Sequence, residues 1–421
     1  MRRTVVTGVG VVAPGGVTRE AFWDTITSGR TATRGITFFD PAGFRSQIAA
    51  ECDFDARAAG LTADEIERMD RYIQFAVVAG AEALKDSGLK LSEDDRDRLG
   101  VSLGSAVGGT MYLETGYVAV SNHGKEWLVD PAAGPPFLYQ AIVPSSLASE
   151  VAVKFGAHGP AVVVSTGCTS GIDGVGYGHQ LIQDDLADIV LAGASDSPIS
   201  PISMACFDPI KATSCRNQDP EHASRPFDND RDGFVMGEGS AVLVLEELQH
   251  ALARKARIYC EVLGYAARGN AFHMTGLRPD GLEMSEAINE AMQQAGIKPE
   301  DIGYINAHGS GTKQNDRHET AAYKRSLGQQ AYKIPISSIK SMVGHSLGAI
   351  GAIEMAACAL VIDRGVIPPT ANLETRDPEC DLDYTPKVAL KKHVDVALST
   401  GSGFGGFQSA MIFGRPREGS S

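Results

Sequence analysis

Cys168, His308 and His345 are the residues whose types and settings point to chemistry. Cys168 follows the run Val162-Val163-Val164-Ser165-Thr166-Gly167 and precedes a Gly-rich helical pattern, so the thiol is expected at a strand-to-helix corner. A thiolate there faces unpaired backbone N–H groups and the positive end of a helix, which lower a free-thiol pKa of about 8.5 by a unit or more. That setting suits a nucleophile. The plainer alternative is a buried structural cysteine.

His308 leaves the apolar run Tyr304-Ile305-Asn306-Ala307 and enters the turn Gly309-Ser310-Gly311-Thr312. His345 lies in Ser341-Met342-Val343-Gly344-His345-Ser346-Leu347-Gly348, again behind a strand and ahead of a helix. Strand ends followed by glycines are where side chains project into a crevice. Either histidine alone also fits a satisfied structural role, but with Cys168 they form a Cys-His-His set suited to covalent catalysis with proton transfer. Lys340 and Glu319 stand where they would orient the imidazoles and hold their charge states, with solvated surface as the alternative.

Three patterns imitate other sites. Gly8-x-Gly10-x-x-Ala13 resembles a dinucleotide fingerprint, yet Pro14, Gly15 and Gly16 prevent the helix that would hold a pyrophosphate, so a tight turn is expected. Gly344-His345-Ser346-Leu347-Gly348 matches a nucleophile elbow, followed by Asp383 and His393 in hydrolase order. Ile339 to Val343 separate it from the strand, however, and only one or two strands are expected after Ser346. Asp316, His318 and Glu319 lack metal-ligand spacing and read as a polar network or helix surface.

The elements that must position these residues alternate between helical periods and short β-branched runs, an α/β pattern. The pattern also repeats. Glu82-Ala83-Leu84 with Ser87-Gly88-Leu89 recurs as Glu290-Ala291-Met292 with Ala295-Gly296-Ile297, 208 residues on, and Asp188-Ile189-Val190-Leu191 recurs as Asp395-Val396-Ala397-Leu398, 207 residues on. The Cys168 corner corresponds to Ile334–Ser338 and the helix after His345. Extra residues then fall near 106–160 and 362–394. The first insertion, with its prolines and with Tyr117, Trp127, Phe137 and Tyr139, reads as excursion loops over a partner or pocket. The halves meet near 250–256, with no flexible linker.

A chain of 421 residues, 43% hydrophobic and 21% charged, is an ordinary globular composition. Its seven scattered cysteines show no C-x-x-C spacing, which argues against a disulfide framework or a zinc site and fits a reducing cytoplasm. A net charge of −14 disfavours general nucleic-acid or anionic-membrane binding. No apolar run reaches the roughly 20 residues that span a bilayer. Arg2 and Arg3 before Thr4–Val12 imitate a secretory signal, but Gly8 and Gly10 interrupt the run and no small-residue cleavage site closes it.

With Cys168 in TGCTSG, His308 in NAHGSGT, Lys340 and His345 in SIKSMVGHSLGAIGAIE, and GSGFGGFQSA at 401–410, the chain resembles condensing enzymes of the thiolase superfamily, specifically elongating β-ketoacyl synthases. The run KQNDRHETAAYKRSLG after His308 resembles the ketosynthase alpha subunit of type II (aromatic) polyketide synthases. Ser310, where fatty-acid enzymes more often carry Thr, points the same way. The similarity runs from Arg3 to Phe413.

The resemblance implies a thiolase-like, five-layered αβαβα fold of two duplicated halves, 1–254 with the nucleophile and 255–421 with the two histidines. It implies decarboxylative Claisen condensation of an acyl chain on Cys168 with a malonyl group on an acyl carrier protein. Substrates would ride on the carrier's phosphopantetheine arm, with no cofactor or metal bound by this chain. His308 and His345 would stabilise the enolate, Lys340, Glu319 and Asp316 would support them, and Phe404 would gate the nucleophile and share the oxyanion site. Arg68, Arg71 and Lys211 match docking positions for the acidic carrier, and apolar surface around 106–165 would receive a homologous chain-length factor in a heterodimer. A fatty-acid-type homodimer, a non-catalytic scaffold subunit and a serine hydrolase using Ser346 are the competing readings.

Overall fold

The computed structural model describes residues 2–127 and 130–416. Ten strands form its central sheet. The first half supplies β1 (Thr4–Val12), β2 (Leu99–Gly104), β3 (Ala161–Val164), β4 (Ile189–Asp196) and β5 (Gly239–Glu247). The second half supplies β6 (Cys260–Gly269), β7 (Tyr304–Asn306), β8 (Ile336–Ser337), β9 (Val396–Gly403) and β10 (Phe407–Gly414). The spatial order is β8-β7-β9-β10-β6-β1-β5-β4-β2-β3, so outward from the centre each half repeats the same sequence of first, fifth, fourth, second and third strands. The first strands of the two halves pair antiparallel, Thr4 opposite Val262 and Val6 opposite Cys260. The duplication seen in the sequence is therefore a duplication of topology.

Helices cover the sheet in matching layers. On the outside of the first half lie α1 (Arg71–Ser87) and α2 (Ser146–Phe155). Between the halves α3 (Ser170–Gln183) packs against α6 (Gly348–Arg364), and outside the second half lie α4 (Leu282–Ala295) and α5 (Lys313–Leu327). This is the expected five-layered αβαβα arrangement. The two echoed segments are α1 and α4, each ended by a glycine in the left-handed conformation, Gly88 at φ 66° and Gly296 at φ 60°. α6 is apolar all round and its first fifteen residues are buried, as a helix in the middle layer must be. A Cβ on Gly171 would stand 2.3 Å from the Ala352 nitrogen, so α3 and α6 touch backbone to backbone.

Several expectations are corrected. Gly8 and Gly10 lie within β1 rather than in a turn, and a Cβ on either would meet a carbonyl of α1, Ala83 O at 2.1 Å or Ala79 O at 1.9 Å. They are small so that α1 can approach the strand, and the tight turn is Ala13–Gly16. The insertion at 106–160 carries helices at Thr110–Val120, Leu138–Ile142 and α2 rather than loops alone. Among the described residues four strands follow Ser346, two of them two-residue pieces, and a helical turn, Lys340–Val343, stands between the strand and the histidine. No helix among the described residues is long and apolar enough to cross a membrane.

Candidate active site

Cys168 sits in a single 3₁₀ turn, Gly167–Thr169, between β3 and α3, where the sequence placed it. Gly167 adopts φ 63°, and the Ser170 hydroxyl closes the turn by donating to Gly167 O at 2.6 Å. The Phe404 N–H, from the turn between β9 and β10, donates to the thiol. The expected depression of the thiol pKa is not found. Burial pushes Cys168 up to about 12, against the pull of the Lys340 ammonium and the Phe404 N–H. In this setting desolvation outweighs the helix terminus, so the resting residue is a thiol.

His308 and His345 come together from different loops, with ring centroids 5.3 Å apart and planes at 80°. Both are buried. The His308 backbone is clamped by Glu319 on α5, which accepts from the His308 and Gly309 amides at 2.6 and 2.7 Å and from the hydroxyls of Tyr323 and Thr400 at 2.7 and 2.9 Å. Glu319 thus fixes the turn and not, as expected, the imidazole. The ring is addressed by Lys340, whose Nζ stands 3.5 Å from Nδ1 and also donates to His308 O. Lys340 is paired with Glu354 on α6 at 2.5 Å. Asp316 supports the same turn through the Gly311 and Phe227 amides and pairs with Arg231 at 3.1 Å. Burial pushes Asp316 up to about 6, the Arg231 guanidinium opposing.

His345 is held by its backbone, its N–H donating to Val235 O at 2.8 Å and its carbonyl accepting from Gly237 at 2.9 Å. Its Nδ1 accepts the Leu347 N–H at 3.2 Å. In both imidazoles Nδ1 therefore faces a donor, which leaves the proton of the neutral ring on Nε2. Burial and the Lys340 ammonium hold both well below the usual imidazole range, with His345 and His318 adding to the effect on His308. The site offers two neutral N–H donors beside a thiol.

One cavity joins these groups. Cys168, His308 and His345 line it with Phe207, Phe234 and Phe404, and Phe404 lies half-exposed where that cavity meets a polar basin bearing Lys211, Arg216 and Lys313. Glu354 was not anticipated from the sequence. Its signal was a single carboxylate within the apolar stretch Gly348–Ile362, which is costly unless a cation meets it.

The three docking candidates separate. Arg71 is inward, bonded to Glu238 at 2.8 Å and to Cys52 O at 3.0 Å and lying 4.7 Å over the Phe75 ring, so its guanidinium is engaged within the fold. Arg68 is engaged by Glu150 at 3.1 Å. Lys211 is exposed on the basin rim. Around 106–165, Trp127, Tyr139 and Val153 are exposed by 85, 73 and 75%, and β3 is the terminal strand of the sheet.

The chain is similar to known proteins along nearly its whole length. The family model for the β-ketoacyl synthase N-terminal domain matches residues 1–251 and that for the C-terminal domain matches 259–374. The tetracenomycin polyketide synthase ketoacyl synthase alpha subunit of Streptomyces glaucescens is 61% identical over 417 residues, covering 99% of this chain and 98% of its own. A solved type II polyketide synthase acyl-carrier protein in complex with its ketosynthase bound to the hexaketide contains a chain that matches with TM-score 0.92 and 38% identity over 99% of this chain and 100% of that one. The ishigamide ketosynthase/chain length factor matches with TM-score 0.90 and 35% identity over the same shares. A half-buried thiol and two neutral imidazoles, held by loops that both halves of the fold supply, thus occur in a chain matched along nearly its whole length, and the chain belongs to the β-ketoacyl synthase family.

Proposed function

We propose that this chain is the catalytic ketosynthase subunit of a type II polyketide synthase, with the nucleophile in 1–254 and the imidazoles in 255–421, of which 417–421 lie outside the described residues. Cys168 takes the growing acyl chain from its carrier thioester, releasing the carrier thiol. The oxyanion of that exchange is held by the Cys168 and Phe404 N–H groups. A malonyl thioester then loses carbon dioxide, and its enolate oxygen accepts from Nε2–H of His308 and of His345. The enolate carbon attacks the acyl carbon, the C–S bond to Cys168 breaks, and the lengthened β-ketoacyl thioester stays on the carrier. Donors aimed at developing charge in a dry site are worth about 3 to 4 kcal/mol each.

The observation that carries this reading is the common polarity of the two imidazoles, Nδ1 of each occupied by a donor and Nε2–H of each left to donate. Lys340, positioned by Glu354, and Glu319 and Asp316, through the backbone, hold that arrangement. Phe404 gates the cavity. The similar complexes support an acyl carrier protein and a chain-length factor as partners; the phosphopantetheine arm, docking near the exposed Lys211 and a partner face around the exposed Trp127 and Tyr139 are part of the proposal. The seven cysteines, all free in the structure, fit a cytoplasmic setting.

The test is intact mass after incubation with acyl- and malonyl-loaded carrier protein, alone and with the co-expressed partner, for wild type and Cys168→Ala. An adduct on wild type alone, with product only when the partner is present, is expected. Condensation by the chain alone would indicate a fatty-acid-type homodimer. No adduct on a folded chain would remove Cys168 as nucleophile and favour the scaffold subunit.

A further inference from the structure

Asp173 lies in the first turn of α3, 5% exposed, and its two carboxyl oxygens face opposite halves of the molecule. Oδ2 accepts from the hydroxyls of Thr166 at 2.5 Å and Thr169 at 2.8 Å, the residues two before and one after Cys168. Oδ1 accepts from Tyr265 on β6 at 2.9 Å and from Ser409 on β10 at 2.6 Å. Four hydroxyl donors match the four acceptor positions of a carboxylate. β10 also continues directly from the turn that carries Phe404, whose N–H meets the Cys168 thiol.

Resting on Cys168 as nucleophile, we propose that Asp173 is a positioning residue that locks the thiol-bearing turn to the second half and so sets where Sγ stands relative to the Phe404 N–H. One carboxylate oxygen holds the chain on both sides of the nucleophile, and the other anchors it to β10, which leaves the turn carrying Phe404, and to its neighbour β6. Hydrogen bonds to a buried charged group are about twice as strong as neutral ones, which suits this one to a register that must be held to within a fraction of an ångström.

The experiment follows acyl loading of Cys168 by stopped-flow or quenched intact mass, at several carrier concentrations, for wild type, Cys168→Ala, Asp173→Asn, Tyr265→Phe and the Asp173→Asn/Tyr265→Phe double variant. Asp173→Asn should lower the maximal loading rate about ten- to hundredfold while the KM for the acyl carrier and the loadable fraction stay near wild type. Tyr265→Phe, which removes one donor from the far side without touching the Cys168 turn, should slow loading severalfold alone and add little to Asp173→Asn. A folded Asp173→Asn enzyme loading at the wild-type rate overturns the proposal, as does a lower loadable fraction with an unchanged rate constant. If Asp173→Asn does not fold, wild-type loading by Tyr265→Phe and by Ser409→Ala overturns it. Failure of wild type itself to load would instead overturn the nucleophile.

Discussion

Lys340 Nζ lies 2.5 Å from Glu354 Oε1 with both side chains 1% exposed, so the group that orients the His308 ring is itself one end of a buried ion pair. Removing one partner leaves an uncompensated buried charge. Lys340→Met or Glu354→Leu alone should lower the unfolding free energy by about 3–5 kcal/mol, and the double variant should recover most of that loss. Urea denaturation measures this. The double variant should regain stability without malonyl decarboxylation, because His308 Nδ1 then has no cation to hold the ring; recovery of both would make the pair purely structural.

Decarboxylation should be insensitive to pH around 6.5, where free imidazole titrates. Burial, followed by the Lys340 ammonium, lowers both histidines well below that value, so they stay neutral through the range and gain a proton only under acid conditions. Glu354 is pushed by burial up to about 7 with Lys340 opposing, and it is the group able to put a break near 7 into the profile, whereas Asp316, pushed up to about 6, would act nearer 6. Release of carbon dioxide from malonyl carrier protein, measured from pH 5.5 to 8.5, should show no break at 6.5. Any break near 7 should vanish in Glu354→Gln. A break at 6.5 that survives in that variant would mean that the imidazoles titrate as free ones do.

The Cys168 corner and both histidine turns were legible in the sequence because each combines a short strand with small residues, a local pattern that backbone geometry enforces. The 208-residue echo was legible because α1 and α4 end on left-handed glycines that no larger residue replaces cheaply. Glu354 and the inward setting of Arg71 were not foreseen, for one reason. Whether a charge on a helix meets solvent or a distant partner depends on which elements fold over it, and neither Lys340 beneath Glu354 nor Phe38, Phe54 and Phe75 around Arg71 can be read from local periodicity. The thiol failed its expectation because the helix terminus is a local feature, whereas burial belongs to the assembled cavity.

Carrier docking should respond to Lys211 and not, at the level of binding, to Arg71. Lys211→Glu should raise the KM for acyl carrier protein several-fold, more at low salt than at high, while leaving turnover of a small-molecule thioester unchanged. Arg71→Met should leave Glu238 buried without its cation and lower the melting temperature instead. Equal KM values for wild type and Lys211→Glu at low salt would place docking elsewhere.

His250 makes stability fall on the alkaline side. Its ring stands between Glu246 Oε1 at 2.6 Å and Asp95 Oδ1 at 3.1 Å, and although burial opposes charging, these carboxylates prevail and raise its pKa above 6.5. A raised pKa means that the folded state holds the proton more tightly. The stabilisation is therefore complete below the unfolded value of about 6.5 and is lost as pH rises through the folded value. Arg254, 2.7 Å from the other Glu246 oxygen, keeps that carboxylate paired throughout, so the loss belongs to the imidazole. Urea midpoints of wild type and His250→Gln should differ most at pH 5.5 and converge above pH 8. Taking the difference between the two proteins removes Glu354, which titrates in the same range in both. A gap that stays constant with pH would show that His250 acts by packing alone.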